Sequence, residues 1–549
     1  MDERRRRHPI TALLLDLVAV QSDSGSELEC RMADRLAEIV AEQPYFREHP
    51  QQWGRYDTGD LLGRPVIWAL RKGTGSLTVV LTGHYDAVGI DAYGSLKAFA
   101  LQPDALKERM RAIYGGLEEW RCDLANADWL FGRGVADMKA GLAINLHTLF
   151  THRNEAVNLL FVAVPDEENM SAGARMAVGL YRELKERFSL DYRLALLSEP
   201  CFRDVAEKRL HATLGTTGKL LPVVVAKGRL AHAARVMNGL NAGLIVAKIV
   251  EKVEFNLDFV SSDLGKYTVP PTALIVRDLK PAYDVSLPEY AAASFNFLFL
   301  KNAKPSEMLA RIRAVCADAL SETIASYERA FDELAARKIV PESERVAYRP
   351  RVMSLGELTA CIVESRAGAE AEIEALKSSI VHEVETTGLS LPDASIRYIR
   401  RLIELSQISE PVVVFGISPP YYPPENVNYV DDGVSVWLRQ AGSALREVSA
   451  GEIEGLQAVP YTSGMTDMSY MSCTDPVEER TLMEDVTLPR AVYDIDFEGL
   501  AALSIPTVMI GPASKYVHQI GERVYLPDVE RHVPALFEIL IDCVSKTGY

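Results

Sequence analysis

Eight residues able to bind metal or move protons fall in five short, separated motifs: His84-Tyr-Asp86, Asp137-Met-Lys, Asp166-Glu167-Glu168, Ser198-Glu199-Pro200 and the isolated His518. Together they supply two imidazoles and three carboxylates as ligands, with a spare glutamate beside one of them. That inventory is what a two-metal hydrolase needs to hold its ions and still keep a base free.

Spacing sharpens the reading. Asp86, two residues after His84, can brace the imidazole and fix its tautomer from a strand-end loop. Asp137 sits in GRGVADMKAG, a glycine-rich turn just before a helix, where a carboxylate can bridge two ions about 3.5–4 Å apart. Glu167 and Glu168 are adjacent and cannot both point the same way from an extended segment, so one can bind metal while its neighbour faces the substrate water. Glu199 gives a third carboxylate and His518 a second imidazole. Each motif has a plainer explanation by itself: a satisfied structural histidine, a solvated helix N-terminus at Asp166-Glu167-Glu168, a helix cap at Asp137, an ordinary turn at Ser198-Glu199-Pro200. Five such accidents in one strand context are harder to accept than one site.

The elements that must position these residues are legible as apolar runs. VVLTG leads into His84, NLLFVAV into Asp166 and RLALLS into Glu199, and open α/β sheets place their chemistry at the carboxyl ends of such strands. WALRKG reads as a further strand, while GLAINLHTLF and GARMAVGLYRELKERF read as helices. The alternation predicts an α/β fold with a mostly parallel sheet and helices on both faces. From about residue 211 the pattern becomes β-α-β-β-α, which predicts an inserted α+β lid domain over 211–390, with a charged, strand-poor insertion at about 336–390. The first domain, 1–210, is expected to resume over 391–549 with SIRYIRRLIEL, PVVVFGIS and IPTVMIGP. PPYYPP (419–424) reads as a rigid turn.

With 549 residues, two or three domains are expected. A formal charge of −17 argues against a nucleic-acid partner. Seven scattered cysteines without a Cys-x-x-Cys pair suggest reduced thiols and a cytoplasmic protein. The start, with four arginines before an apolar run, imitates a secretion signal. Asp16 interrupts that run, however, and Leu13, Leu14, Leu17 and Val18 recur at helical spacing, so an amphipathic helix is expected there. No stretch approaches the ~20 apolar residues that would span a bilayer, and no membrane partner is expected.

As a set, LLLDLVAVQSDSGSE, TGHYDAV, FGRGVADMKAG, PDEENMSAGA, LSEP, GLNA and a final GPxxxxxH resemble the M20 family of metallopeptidases and amidohydrolases, over most of residues 8–300 and about 405–540. The length and the insertion resemble its arginine-utilisation (Roc) branch. The resemblance implies that His84, Asp137 and Glu199 hold one ion and Glu168, Asp137 and His518 the other, with Glu167 as general base and Asp86 as brace. It also implies that His232, in GRLAHAA, polarises the substrate carbonyl and that Asn241, in GLNAG, contacts substrate. A strand-end surface histidine is the plainer account of His232. Leu298, in ASFNFLFL, stands where many relatives place an arginine for a substrate carboxylate.

The expected function is therefore two-metal hydrolysis of an amide bond in an N-acyl amino acid or small peptide, in amino-acid (arginine) catabolism. Two divalent ions are expected, Zn²⁺ first with Mn²⁺ or Co²⁺ as replacements. A dipeptidase or carboxypeptidase is the alternative within enzymes, and a non-catalytic binding or scaffolding protein the alternative outside them. A homodimer is expected, with His232 serving the partner's site.

Overall fold

The computed structural model describes residues 8–60, 62–431, 433–462, 464–488 and 492–546. Two compact units share the chain: Met1–Thr216, Glu425–Thr474 and Asp496–Tyr549 form the first, and Thr217–Pro424 with Asp475–Ile495 the second.

The first unit is built on an eight-stranded sheet in the spatial order Trp53–Tyr56, Val66–Arg71, Asn158–Val164, Leu77–His84, Asp191–Leu197, Thr507–Met509, Arg209–Thr213 and Gly455–Val459. The three strands that precede the motifs are central and parallel: Leu77–His84 pairs with Asn158–Val164 on one side and Asp191–Leu197 on the other. Their carboxyl ends therefore share one edge. Val66–Arg71 runs antiparallel to Asn158–Val164, so the sheet is mixed but rich in parallel pairs.

Helices cover both faces, because alternate residues of a strand point to opposite sides. On one side Val79, Leu81, Leu159 and Phe161 pack with Leu142 and Ile144 of the helix Ala140–Thr151, and with Leu536 and Leu540 of Val533–Lys546. On the other, Trp68 meets Phe188 at the end of Ala172–Phe188. The expected first helix is Pro9–Val18, with Ile10, Leu14, Leu17 and Val18 buried in the same core; the four arginines before it lie outside the described residues. Among the described residues no helix is long and apolar enough to cross a membrane.

The second unit carries a five-stranded sheet in the order Thr272–Asp278, Tyr290–Phe299, Gly218–Lys227, Val412–Tyr422 and Val352–Ser354. The β-α-β-β-α expectation holds, with helices Ala242–Val253 and Pro305–Ala336 in their places. The return to the first unit does not occur at 391. The helix Leu391–Ser406 lays Ile396, Ile399 and Ile403 over Val223, Val225, Val412 and Val414, and Val412–Tyr422 pairs antiparallel with Gly218–Lys227. An apolar run announces a buried strand but not its partner, so PVVVFGIS reads the same for either sheet. The first unit resumes at Glu425, and the chain makes a second excursion at Asp475–Ile495.

The 336–390 stretch is no loose insertion. It contributes the short strand Val352–Ser354, parallel to Val412–Tyr422, and the helices Leu355–Ser365 and Ala369–Thr387. PPYYPP is not a turn over its whole length either: the strand continues to Tyr422, with a register shift between Ser418 and Tyr422 where the prolines interrupt the ladder.

Candidate metal centre

His84 is the last residue of its strand, Asp166 follows Val164 by two residues, and Glu199 follows Leu197 by two. Parallel pairing thus brings three motifs to one sheet edge. Asp137 comes from the segment Val135–Lys139, which breaks helical geometry at Asp137 itself before Ala140–Thr151 begins. That helix approaches the Ser198-Glu199 turn closely because it carries glycine there. A Cβ on Gly141 would sit 2.2 Å from the Ser198 carbonyl oxygen, and one on Gly511 would sit 1.9 Å from that of Glu199.

Asp137 lies between the two histidines. Its Oδ1 is 3.0 Å from His84 Nε2 and its Oδ2 is 2.9 Å from His518 Nε2. Glu168 Oε1 is 2.8 Å from the same His518 nitrogen. His84, Asp137 and Glu168 offer ligand atoms within 4.8 Å of one another. Glu199 Oε1 is 3.7 Å from His84 Nε2, beyond hydrogen-bonding reach, and it is sealed from solvent with no hydrogen-bond partner among the described residues. An orphaned, buried carboxylate oxygen facing an imidazole fits a cation between them, because nothing else here would compensate its desolvation.

Asp86 braces the other side of His84: Nδ1 is 3.0 Å from the Asp86 carbonyl and 3.3 Å from its carboxylate. The same carboxylate accepts the backbone N–H groups of Glu167 (3.1 Å) and Glu168 (3.2 Å). The adjacent glutamates diverge as their neighbouring positions require. Glu168 joins the cluster, while the Glu167 side chain makes no hydrogen bond among the described residues.

The His518 loop has its own support. His518 adopts a left-handed backbone (φ 66°), and Arg133 donates to its carbonyl at 3.2 Å and to Glu522 at 2.5 Å. Glu522 in turn accepts from Ala136 N at 3.2 Å, so one buried pair steadies both the Asp137 and the His518 segments.

The charges are strongly coupled. Burial raises Glu167 well above the usual carboxylate range, helped by Glu199 and Asp467, and it lifts Glu199 to about 7. Burial works against Asp137, but hydrogen bonds from His518 and His84 hold it below its ordinary value. Hydrogen bonds to Asp137 and Glu168 lift His518 to about 10. Without metal, His518 therefore carries a proton at neutral pH, and a cation taking its nitrogen must displace that proton. Zn²⁺ affinity of the metal-free protein is expected to rise about tenfold per pH unit for each proton released, between about pH 7 and pH 9. Titrations in buffers of different ionisation enthalpy will count the protons, and a pH-independent affinity would contradict the geometry. The sign for the metal-free fold is opposite. Stability drawn from the raised His518 is fully present below about pH 6.5 and is lost as pH rises through about 10.

Asp467 was not foreseen. It opens the short helix Asp467–Tyr470, is 3% exposed, and neither carboxylate oxygen has a hydrogen-bond partner among the described residues. Burial pushes it to about 7, with His84, Glu199 and Asp86 among the charges acting on it. In sequence it is one aspartate in TSGMTD, set too far beyond the strand Gly455–Val459 to mark a strand end. His232 and Asn241 belong to the second unit. His232 is exposed and its Nδ1 accepts from Ala234 N at 3.1 Å, while the Asn241 side chain caps the helix Ala242–Val253 by accepting from Gly243 N at 2.8 Å.

Residues 80–542 match the sequence profile of peptidase family M20/M25/M40. The chain belongs to that family. It is thus a metal-dependent hydrolase of the peptidase and amidohydrolase kind, as the motifs anticipated. Among curated relatives, the uncharacterized protein YqjN of Bacillus subtilis is 31% identical over 546 residues, covering 98% of this chain and 96% of that protein. Protein RocB of the same organism is 26% identical over 547 residues, covering 96% and 94%. Succinyl-diaminopimelate desuccinylase 2 of Shewanella loihica is 26% identical over 292 residues, covering 51% of this chain and 73% of its own. The fold is seen again in the crystal structure of aminopeptidase PepT of Bacillus cereus, which matches over 98% of each chain at a TM-score of 0.53 and 13% identity.

Proposed function

We propose that this M20 member uses two divalent ions to hydrolyse the amide bond of an N-acylated amino acid, with a small peptide as the second substrate class. The observation that carries the reading is Asp137 set between His84 and His518, one carboxylate oxygen to each. His84, Asp137 and Glu199 would hold one ion, and Asp137, Glu168 and His518 the other, with Zn²⁺ favoured by the mixed imidazole and carboxylate donors. Bound there, two such ions would supply Lewis acidity toward a water and the amide carbonyl.

The chain's own residues do the rest. Glu167, outside the ligand cluster, accepts the proton of the attacking water and passes it to the leaving amine, its ionised form favoured against burial by the cations that would lie beside it. Asp86 keeps the His84 ring oriented through Nδ1 and holds the Glu167 backbone in place. On His232, Nδ1 is occupied by the Ala234 N–H, which places the ring proton on Nε2, free to donate to a substrate carbonyl oxygen. Asn241, already a helix cap, would present its amide nitrogen to the substrate.

Leu298 removes the expected arginine, but its cross-strand partner is Lys219. Directly paired residues share a sheet face. Burial holds the Lys219 ammonium below its ordinary value; Tyr422, 6.0 Å away, is its aromatic neighbour, and it forms no ion pair among the described residues. We infer that Lys219 takes the place of that arginine toward a substrate carboxylate. That favours N-acyl amino acids with a free carboxylate. The resemblance of the motifs and length to the arginine-utilisation branch puts arginine and ornithine derivatives first for testing, as expected for arginine catabolism in the cytoplasm.

The test is an amide-hydrolysis screen of N-acetyl, N-succinyl and N-carbamoyl amino acids beside dipeptides, with and without chelator, on protein whose metal content is measured. About two ions per chain and chelator-sensitive release of free amino acid support the reading. Absence of metal, with chelator-insensitive turnover, overturns it.

We also propose a homodimer formed through the second unit. Thr272–Asp278 is an edge strand whose Leu274 and Val276 are 55% and 53% exposed, and Phe255, Leu257 and Tyr267 are exposed nearby in sequence. Such an edge is a template for a second copy. With His232 serving the partner's site, mixing His232→Ala chains with Glu167→Ala chains is expected to restore up to about a quarter of wild-type activity, since a randomly mixed half of the dimers carries one complete site of two. No recovery after proven chain exchange would place His232 in its own chain's site or outside catalysis.

A further inference from the structure

Behind the loop that carries Glu167 and Glu168 lies a buried ionic network that takes no part in the ligand cluster. Arg64 Nη1 donates to Glu29 Oε1 at 2.6 Å and to Asp166 Oδ1 at 2.7 Å, and its Nε donates to Asp60 Oδ2 at 2.7 Å. Glu29 also accepts the Asp166 backbone N–H at 2.9 Å and the Gly25 N–H at 2.7 Å. Asp166 closes the loop on itself: its carboxylate accepts Ala172 N at 3.2 Å and its carbonyl accepts Ser171 N at 2.7 Å. Glu29 and Asp166 are fully buried and Arg64 is 5% exposed.

The network meets a specific need. Asp166 holds a left-handed backbone (φ 70°), rare for any residue with a side chain, and it stands immediately before the two functional glutamates. The Asp86 carboxylate accepts the next two N–H groups. The loop is therefore held at Asp166 by Arg64 and Glu29, and at Glu167 and Glu168 by Asp86. Neither His84 nor Glu199 is bonded to Arg64 or Glu29.

We propose that Arg64 and Glu29 are positioning residues for the Asp166–Glu168 loop, setting the ligand Glu168 and the base Glu167 without governing the His84 and Glu199 side of the cluster. The inference rests on the two-ion reading. Outer partners of metal ligands typically alter affinity by about 10–100-fold.

The experiment titrates metal-free full-length chain with Zn²⁺ by calorimetry, for wild type, Arg64→Met, Arg64→Lys and Glu29→Gln. Wild type is expected to show two binding events. Arg64→Met and Glu29→Gln should weaken one by at least about tenfold and leave the other within about threefold, and Arg64→Lys should recover part of the loss. A purely structural role would lower the melting temperature without separating the two events. If Arg64→Met does not fold, Asp166→Asn, which keeps an acceptor for Ala172 N and loses the ion pair, is read in the same way. Two unaltered events, or equal weakening of both, overturn the inference while the two-ion reading stands. A wild-type chain that binds no Zn²⁺ overturns that reading, and this inference with it.

Discussion

Glu167→Gln is expected to lower turnover by about 10²–10⁴-fold while leaving two ions bound, because it removes a proton acceptor and no ligand. Glu168→Gln should do the reverse in kind. It should weaken one ion, since its Oε1 reaches His518 Nε2, and lower activity in proportion to the metal lost. The contrast is strong because the two residues are adjacent, of one type, and anchored by the same Asp86 carboxylate. Elemental analysis beside a turnover assay separates them. Metal loss in Glu167→Gln with metal retained in Glu168→Gln would mean that the pair is reversed.

The second large effect belongs to Asp137. A neutral amide has one acceptor oxygen where the carboxylate has two, and each oxygen of Asp137 faces a different histidine. Asp137→Asn should therefore compromise both ions at once. With about 5 kcal/mol of transition-state stabilisation lost, turnover should fall by about four orders of magnitude. Metal analysis is again the arbiter. A variant that keeps two ions and near-normal activity would show that Asp137 is not shared.

Much of the site was legible because this fold announces it in short runs. His84, Asp166 and Glu199 each stand at or within two residues of the end of an apolar strand, and those strands proved to be parallel neighbours. His518 and Asp137 were legible only through their motifs, since neither ends a strand. What the chain does not spell out is pairing and depth. SIRYIRRLIEL and PVVVFGIS were recognisable as a helix and a strand, yet their partner proved to be Gly218–Lys227 of the second unit, because apolar periodicity carries no address. Asp467, Arg64 and Glu29 escaped for a related reason. A lone charged residue in a loop looks the same whether solvent covers it or, as here, protein does.

The place of Thr507–Met509 in the first sheet has a consequence for how the protein is made. It lies inside the sheet, between Asp191–Leu197 and Arg209–Thr213, but roughly 300 residues of chain separate it from the later of those neighbours. At about 5–20 residues per second, a ribosome needs roughly 15–60 s to supply it. Throughout that interval the nascent sheet has a gap where its interior strand belongs, flanked by strands with unmet backbone groups. His518 arrives later still. The nascent chain thus cannot bring His84, Asp137, Glu168 and His518 together before residue 518 is made, and until then the unfilled sheet edge is open to pairing with other chains.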